Sequence, residues 1–196
     1  MTKYTGAIFS IRELRKENAH GPQTSRYFGF IKANLCREKN WSYNILSASL
    51  GMSPSEVHAA VRRSLAAGLA VRHDDTIFPN IRNLEEFLIH GLKYVFVPDR
   101  GELSRGIPTL YAADPLKGKY SDTDEPPPVW PDPTGIVRGM SFSPLYRSAP
   151  KAAREDQVLY ELLVLIDALR GGRAREREAA AAEIKNRLKA YEKSKS

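Results

Sequence analysis

Apolar positions recur at helical spacing over most of this 196-residue chain and at strand spacing over a few short stretches. Met1–Ser25 carries little pattern: Ala7-Ile8-Phe9 could form a strand and Ser10–Glu17 a turn or two of helix, before Gly21-Pro22 ends both. From Ser25, the recurrence of Phe28, Ile31, Leu35 and Cys36, with Lys32, Arg37 and Lys39 opposite, predicts a helix that Asn40 stops. Ser42 is placed to cap the next helix, whose apolar face is Ile45, Leu46 and Leu50.

The sharpest local signal follows. Gly51 tolerates the positive φ of a tight turn. Ser53 is an N-cap candidate, Pro54 suits the first helical position and Glu56 completes a capping box. The helix after it is expected to bury Val57, Ala60, Val61, Ser64 and Leu65 and to stop at Gly68. Leu69-Ala70-Val71-Arg72 and Ile77-Phe78 read as two strands of a hairpin around the turn His73-Asp74-Asp75-Thr76. Asn80–Val97 reads as a helix with Leu84, Phe87, Leu88 and Leu92 on one face.

Residues 98–150 break this rhythm. They hold most of the chain's 13 prolines, so helix is excluded through most of the segment. The expectation is an extended arm, partly ordered by packing of Tyr111, Trp130 and Tyr146, with a tip at Asp122–Glu125. Arg154–Arg170 then predicts a helix with a broad apolar face formed by Val158, Leu159, Leu162, Leu163, Leu165, Ile166 and Leu169. Gly171-Gly172 breaks it, and Arg173–Glu192 predicts a second, Ala-rich helix whose alternating charges mark a solvated face.

Composition and charge narrow the function. With 42% hydrophobic and 27% charged residues, a core can be built. A net charge of +7 favours an anionic partner, and counterion release makes nucleic acid the leading candidate. The charge is uneven: residues 1–97 carry +5, residues 98–150 carry −1 and residues 151–196 carry +3. The single cysteine, Cys36, excludes an intrachain disulfide and reads as a buried thiol. No signal peptide or membrane-length apolar run is visible, so a cytoplasmic location without membrane contact is expected. His20, His58, His73 and His90 lack metal-ligand spacing, and no phosphate loop, nucleophile elbow or metalloprotease helix is present. Neither an enzyme nor a metal- or cofactor-binding protein is expected.

The candidate chemistry is a surface. Two short helices joined by a tight turn bury Leu46, Leu50, Met52, Val57 and Ala60, with the small Ser47 four residues before Gly51. This leaves Ser55, His58, Ala59, Arg62 and Arg63 on the free face of the second helix, where Arg can donate twice to guanine and Ser or His can serve either base type. Ser53 at the start of that helix joins the set. Ser42 and Tyr43 begin the preceding helix, where backbone phosphate would lie, and Arg72 extends the set onto the hairpin. The acidic tip Asp74-Asp75 departs from a phosphate-probing hairpin and reads as a solvated turn.

The run Asn44–Ser53 followed by Val57–Leu69 resembles the helix-turn-helix of MarR-like bacterial winged-helix regulators, over roughly a third of the chain with the flanking helix and hairpin. Arg100–Thr109 and Pro128–Pro133 are similar to uncharacterised bacterial helix-turn-helix proteins, some of which accompany toxin–antitoxin modules. The resemblance implies a mainly α fold of the α+β winged-helix type. Residues 1–97 would be the DNA-binding domain, 98–150 the Pro-rich arm and 151–196 the C-terminal helices. It also implies a homodimeric regulator that binds double-stranded DNA. The apolar face of Val158–Leu169 would form the dimer contact or, equally, pack inside its own chain. The competing expectation is a protein-interaction module, antitoxin-like or scaffold, that engages a protein partner through the winged helix and the arm.

Overall fold

The computed structural model describes residues 42–74, 76–119 and 125–194. The expectations for Met1–Asn40, including the Ser25–Asn40 helix, Cys36 and His20, lie outside these residues, as do Asp75 and most of the Asp122–Glu125 tip. The described chain is an α+β fold, predominantly helical with two small sheets.

Helix α1 (Tyr43–Leu50) begins at Ser42, whose hydroxyl accepts from Ile45 N at 3.2 Å. It ends at Gly51, which has φ 61°. That left-handed conformation costs any other L-residue about 1–2 kcal/mol, so the turn needs a glycine here. Helix α2 (Pro54–Ala66) opens with the expected capping box and buries Val57, Ala60, Val61 and Ser64, while Leu65 is half-buried. Gly68, at φ 67°, turns the chain into the hairpin of β1 (Ala70–His73) and β2 (Thr76–Pro79), paired antiparallel with Arg72 opposite Ile77. The next helical stretch is α3 (Ile81–Glu86), a π-helical turn (Phe87–Gly91) and α4 (Leu92–Val95). Leu84, Leu88 and Leu92 are buried along it, as the apolar spacing predicts.

Residues 98–150 depart from the expected arm. They contain β3 (Arg100–Pro108), a 3-10 turn (Leu110–Ala112), β4 (Pro128–Pro131) and β5 (Val137–Phe142). The strands close on themselves as a three-stranded barrel: β3 pairs antiparallel with both β4 and β5, and β4 pairs parallel with β5. So few strands can close only where backbones nearly touch. A Cβ at Gly106 would lie 2.0 Å from the Trp130 carbonyl oxygen, and one at Gly139 would lie 1.9 Å from that of Pro127. The prolines within the strands, Pro108, Pro128 and Pro131, sit at strand ends, where a missing N–H costs little. Trp130 and Tyr146 do order the segment, as expected, but by burial in the common core.

The C-terminal part begins earlier than the sequence suggests, with α5 (Ala149–Glu155). Asp156 breaks the helix and caps α6 (Gln157–Gly171) by accepting from Leu159 N at 3.0 Å. Helix α7 (Ala174–Lys193) follows; within its expected solvated face, Glu176 turns inward and accepts from Arg173 N at 3.1 Å.

Helix α6 is the axis of the molecule. Every residue from Leu162 to Arg170 is buried, and α6 packs against α4, α5, α7 and the 3-10 turn. Of the two expectations for Val158–Leu169, the structure shows the intrachain one: the face is filled by its own chain, and of the residues named for it only Val158 is exposed. A buried ion pair, Asp167 with Arg170, lies in that core. Asp167 accepts from the Trp130 indole N–H at 2.6 Å, the Thr109 hydroxyl at 2.7 Å and Arg170 Nε at 2.8 Å. Arg170 also donates to the Ser143 carbonyl. Burial pushes the Asp167 carboxyl up, against the opposing pull of Arg170 and the two neutral donors. The network ties both ends of the barrel to α6 with every acceptor facing a donor.

Candidate nucleic-acid interface

The site is assembled around the N-terminal end of α2. Ser53 Oγ accepts from Glu56 N at 3.3 Å, and the Glu56 carboxylate returns the contact by accepting from Ser53 N at 2.9 Å and from its hydroxyl at 2.8 Å. The other Glu56 oxygen accepts from the Tyr146 hydroxyl at 2.8 Å. The Ser53 N–H is the main reason the Glu56 carboxyl titrates below its ordinary value; burial opposes this, and the Ser53 and Tyr146 hydroxyls and the Arg147 charge assist. The single acid of α2 is thereby engaged by Ser53 and Tyr146 on the flank of its helix.

The free face carries Ser55, His58 and Arg62, all exposed. Their spacing places them on one side of the helix, opposite the buried Val57, Ala60, Val61 and Ser64. His58 packs against Tyr43 from α1, with ring centroids 5.2 Å apart. The structure therefore brings Tyr43, Ser55, His58 and Arg62 into one surface. Ala59 and Arg63 lie half-buried on the flank shared with Glu56. Ser42 and Ser53 remain exposed, with their hydroxyls engaged in capping. Arg72 is exposed on β1, and at the hairpin tip His73 Nδ1 lies 3.1 Å from Asp74 Oδ2.

Comparison with protein-family models, with curated proteins and with solved structures finds no match. The residues themselves therefore carry the functional reading.

Sequence reasoning missed the part of this surface that comes from far along the chain. The Ser148 hydroxyl donates to the Leu50 carbonyl, and a Cβ at Gly51 would lie 3.3 Å from Ser148 Cβ. With the Tyr146–Glu56 bond, this seats residues 146–148 against the turn between α1 and α2. Arg147 and Lys151 are exposed there and in α5. The signal was Pro150 near the start of a helix, which moves that start ahead of Arg154 and puts Arg147, Lys151 and Arg154 at spacings of four and three. Among the described residues, no cluster of three or more His, Cys, Asp or Glu could hold a metal ion, and no helix is long and apolar enough to cross a membrane.

Proposed function

We propose that the chain binds double-stranded DNA as a transcriptional regulator of the winged-helix type, with α2 as the recognition helix in the major groove and the β1–β2 hairpin as its wing. One observation carries the reading: α2 presents Ser55, His58 and Arg62 to solvent while its only acid, on the flank of the helix, is engaged by Ser53 and Tyr146. A helix with donors outward, fixed at its N-terminus by a tight turn and a capping box, is preorganised for base edges. Ser42, Tyr43 and Arg72 flank it as backbone contacts, and the net charge of +7 supplies the long-range attraction. Homodimerisation remains part of the proposal, but through a surface other than α6.

A second reading is favoured by a different observation. On the outer face of the barrel, Leu103 stands opposite Met140 in the β3–β5 register, and both are exposed. Exposed apolar residues gathered on one sheet face suit a protein partner.

Gel-shift titration against genomic fragments separates the two. The DNA reading predicts retardation at low salt, steep loss of affinity as salt rises, and loss of sequence preference in Arg62→Ala. Absence of retardation at low salt would refute it. One stoichiometric protein partner, lost on Leu103→Glu/Met140→Glu, would then establish the second reading.

A further inference from the structure

We propose that the segment from Tyr146 into α5 belongs to the same contact, with Arg147 and Lys151 gripping the DNA phosphate backbone beside the N-terminal end of α2. This rests on the reading of α2 as the DNA-facing helix and adds to it a region the helix-turn-helix pattern does not contain.

The segment is held in place on both sides of the turn. Tyr146 bonds to Glu56 in the first turn of α2, and Ser148 bonds to Leu50 at the end of α1. Around the α2 axis, Tyr43 and His58 flank one side of the Ser55–Arg62 face, and Glu56 and Arg63 flank the other. Residues 146–148 therefore border the free face on the Glu56 side.

Three cations follow from that border: Arg147 in the turn before α5, then Lys151 and Arg154 within it. Arg147 lies over the Tyr146 ring, 5.8 Å from its centroid, and its charge also helps keep the Glu56 carboxyl ionised. Lys151 lies in the first turn of α5. Arg154, one further turn along, is held 2.5 Å from Asp132, which fixes the far end of α5 against the barrel. Lys151 is in no ion pair with another described residue, and Arg147 is held by the Tyr146 side chain and the Glu56 charge without a direct salt bridge to a carboxylate of α5 or of the barrel. Two exposed cations on a braced segment, beside a helix whose own acid is engaged by Ser53 and Tyr146, are arranged for an extended polyanion that runs past α2. Such contacts fix register and add affinity without reading sequence.

The test is fluorescence anisotropy of the full-length chain with mixed-sequence duplex DNA over a potassium chloride series. Arg147→Gln/Lys151→Gln is compared with Arg105→Gln/Arg138→Gln, which removes the same charge from a pair facing each other across β3 and β5. The first variant is expected to bind more weakly on every sequence and to reduce the slope of log Kobs against log salt by about 1 per lost contact. The barrel variant should keep the wild-type slope. All four side chains are exposed, so thermal melts should coincide and exclude misfolding as the cause. A wild-type slope in Arg147→Gln/Lys151→Gln, with wild-type protein binding normally, would overturn this proposal and leave the α2 reading standing. Equal loss in both variants would overturn it in favour of a general charge effect. Absence of wild-type binding would remove both.

Discussion

The helix-turn-helix region and the barrel solve opposite problems with polar groups. In residues 42–79 Ser55, His58 and Arg62 of α2 face outward, and local caps fix the helices: Ser42 on α1, then Ser53 and Glu56 on α2. Between the barrel and α6, Thr109 from beyond β3 and Trp130 from β4 reach Asp167 across tens of residues and meet its helix neighbour Arg170 there. The first region is built from neighbours in sequence and leaves a surface free. The second is built from distant residues and leaves no acceptor of its central carboxylate unused. The proposed binding surface therefore depends little on any single cap, whereas the body depends heavily on one buried group.

The largest expected effect follows from that difference. Asp167→Ala would strand the Arg170 guanidinium and two neutral donors in the core, and should cost about 3–5 kcal/mol in urea unfolding. A loss below about 1 kcal/mol would mean that water reaches the network. Next, Gly139→Ala should cost about 1–3 kcal/mol, because its Cβ collides with backbone rather than with a side chain that can move. In the helix-turn-helix region, Gly51→Ala at φ 61° should cost about 1–2 kcal/mol. Ser53→Ala should cost about 1 kcal/mol through loss of the cap.

Acid titration sharpens the same contrast. The Glu56 carboxyl is held below its ordinary value of 4.5, first by the Ser53 N–H, so its folded state favours the ionised form. Its contribution is full above pH 4.5 and disappears as pH falls through the lower folded value. Glu56→Gln should therefore flatten the acid limb of the stability profile below that pH while leaving the neutral plateau nearly level. The smallest expected effect on stability is that of Arg62→Ala, within about 0.5 kcal/mol of wild type, because the side chain is exposed.

How much of this was legible follows from where the determining contacts lie. The α1–α2 turn, the capping box, the hairpin and the apolar face of α3 and α4 were readable because each depends on residues within a few positions of one another. The barrel was not. Its prolines and glycines signal irregular backbone, and only the pairing of β4 with β5, Pro128 with Met140 and Val129 with Ser141, reveals that the irregularity is closure. The apolar face of α6 was legible as apolar, but periodicity does not say whether the same chain or another copy covers it. Asp167, lying within that run and followed three residues later by Arg170, was the clue that the helix is internal. In the candidate site, Ser55, His58 and Arg62 followed from the spacing of α2, whereas Arg147 and Lys151 reach it through long-range hydrogen bonds of Tyr146 and Ser148 that no local pattern encodes.

The central claim is that the outward face of α2 reads DNA sequence. Selection of bound duplexes from a randomised pool, run in parallel with wild-type protein and Arg62→Ala, tests it most directly. The account predicts that wild type enriches a defined motif and that Arg62→Ala retains weak, salt-sensitive binding while losing discrimination worth about 1–3 kcal/mol at one position. Failure of the wild-type chain to enrich any motif, or an identical motif from both proteins, would contradict it.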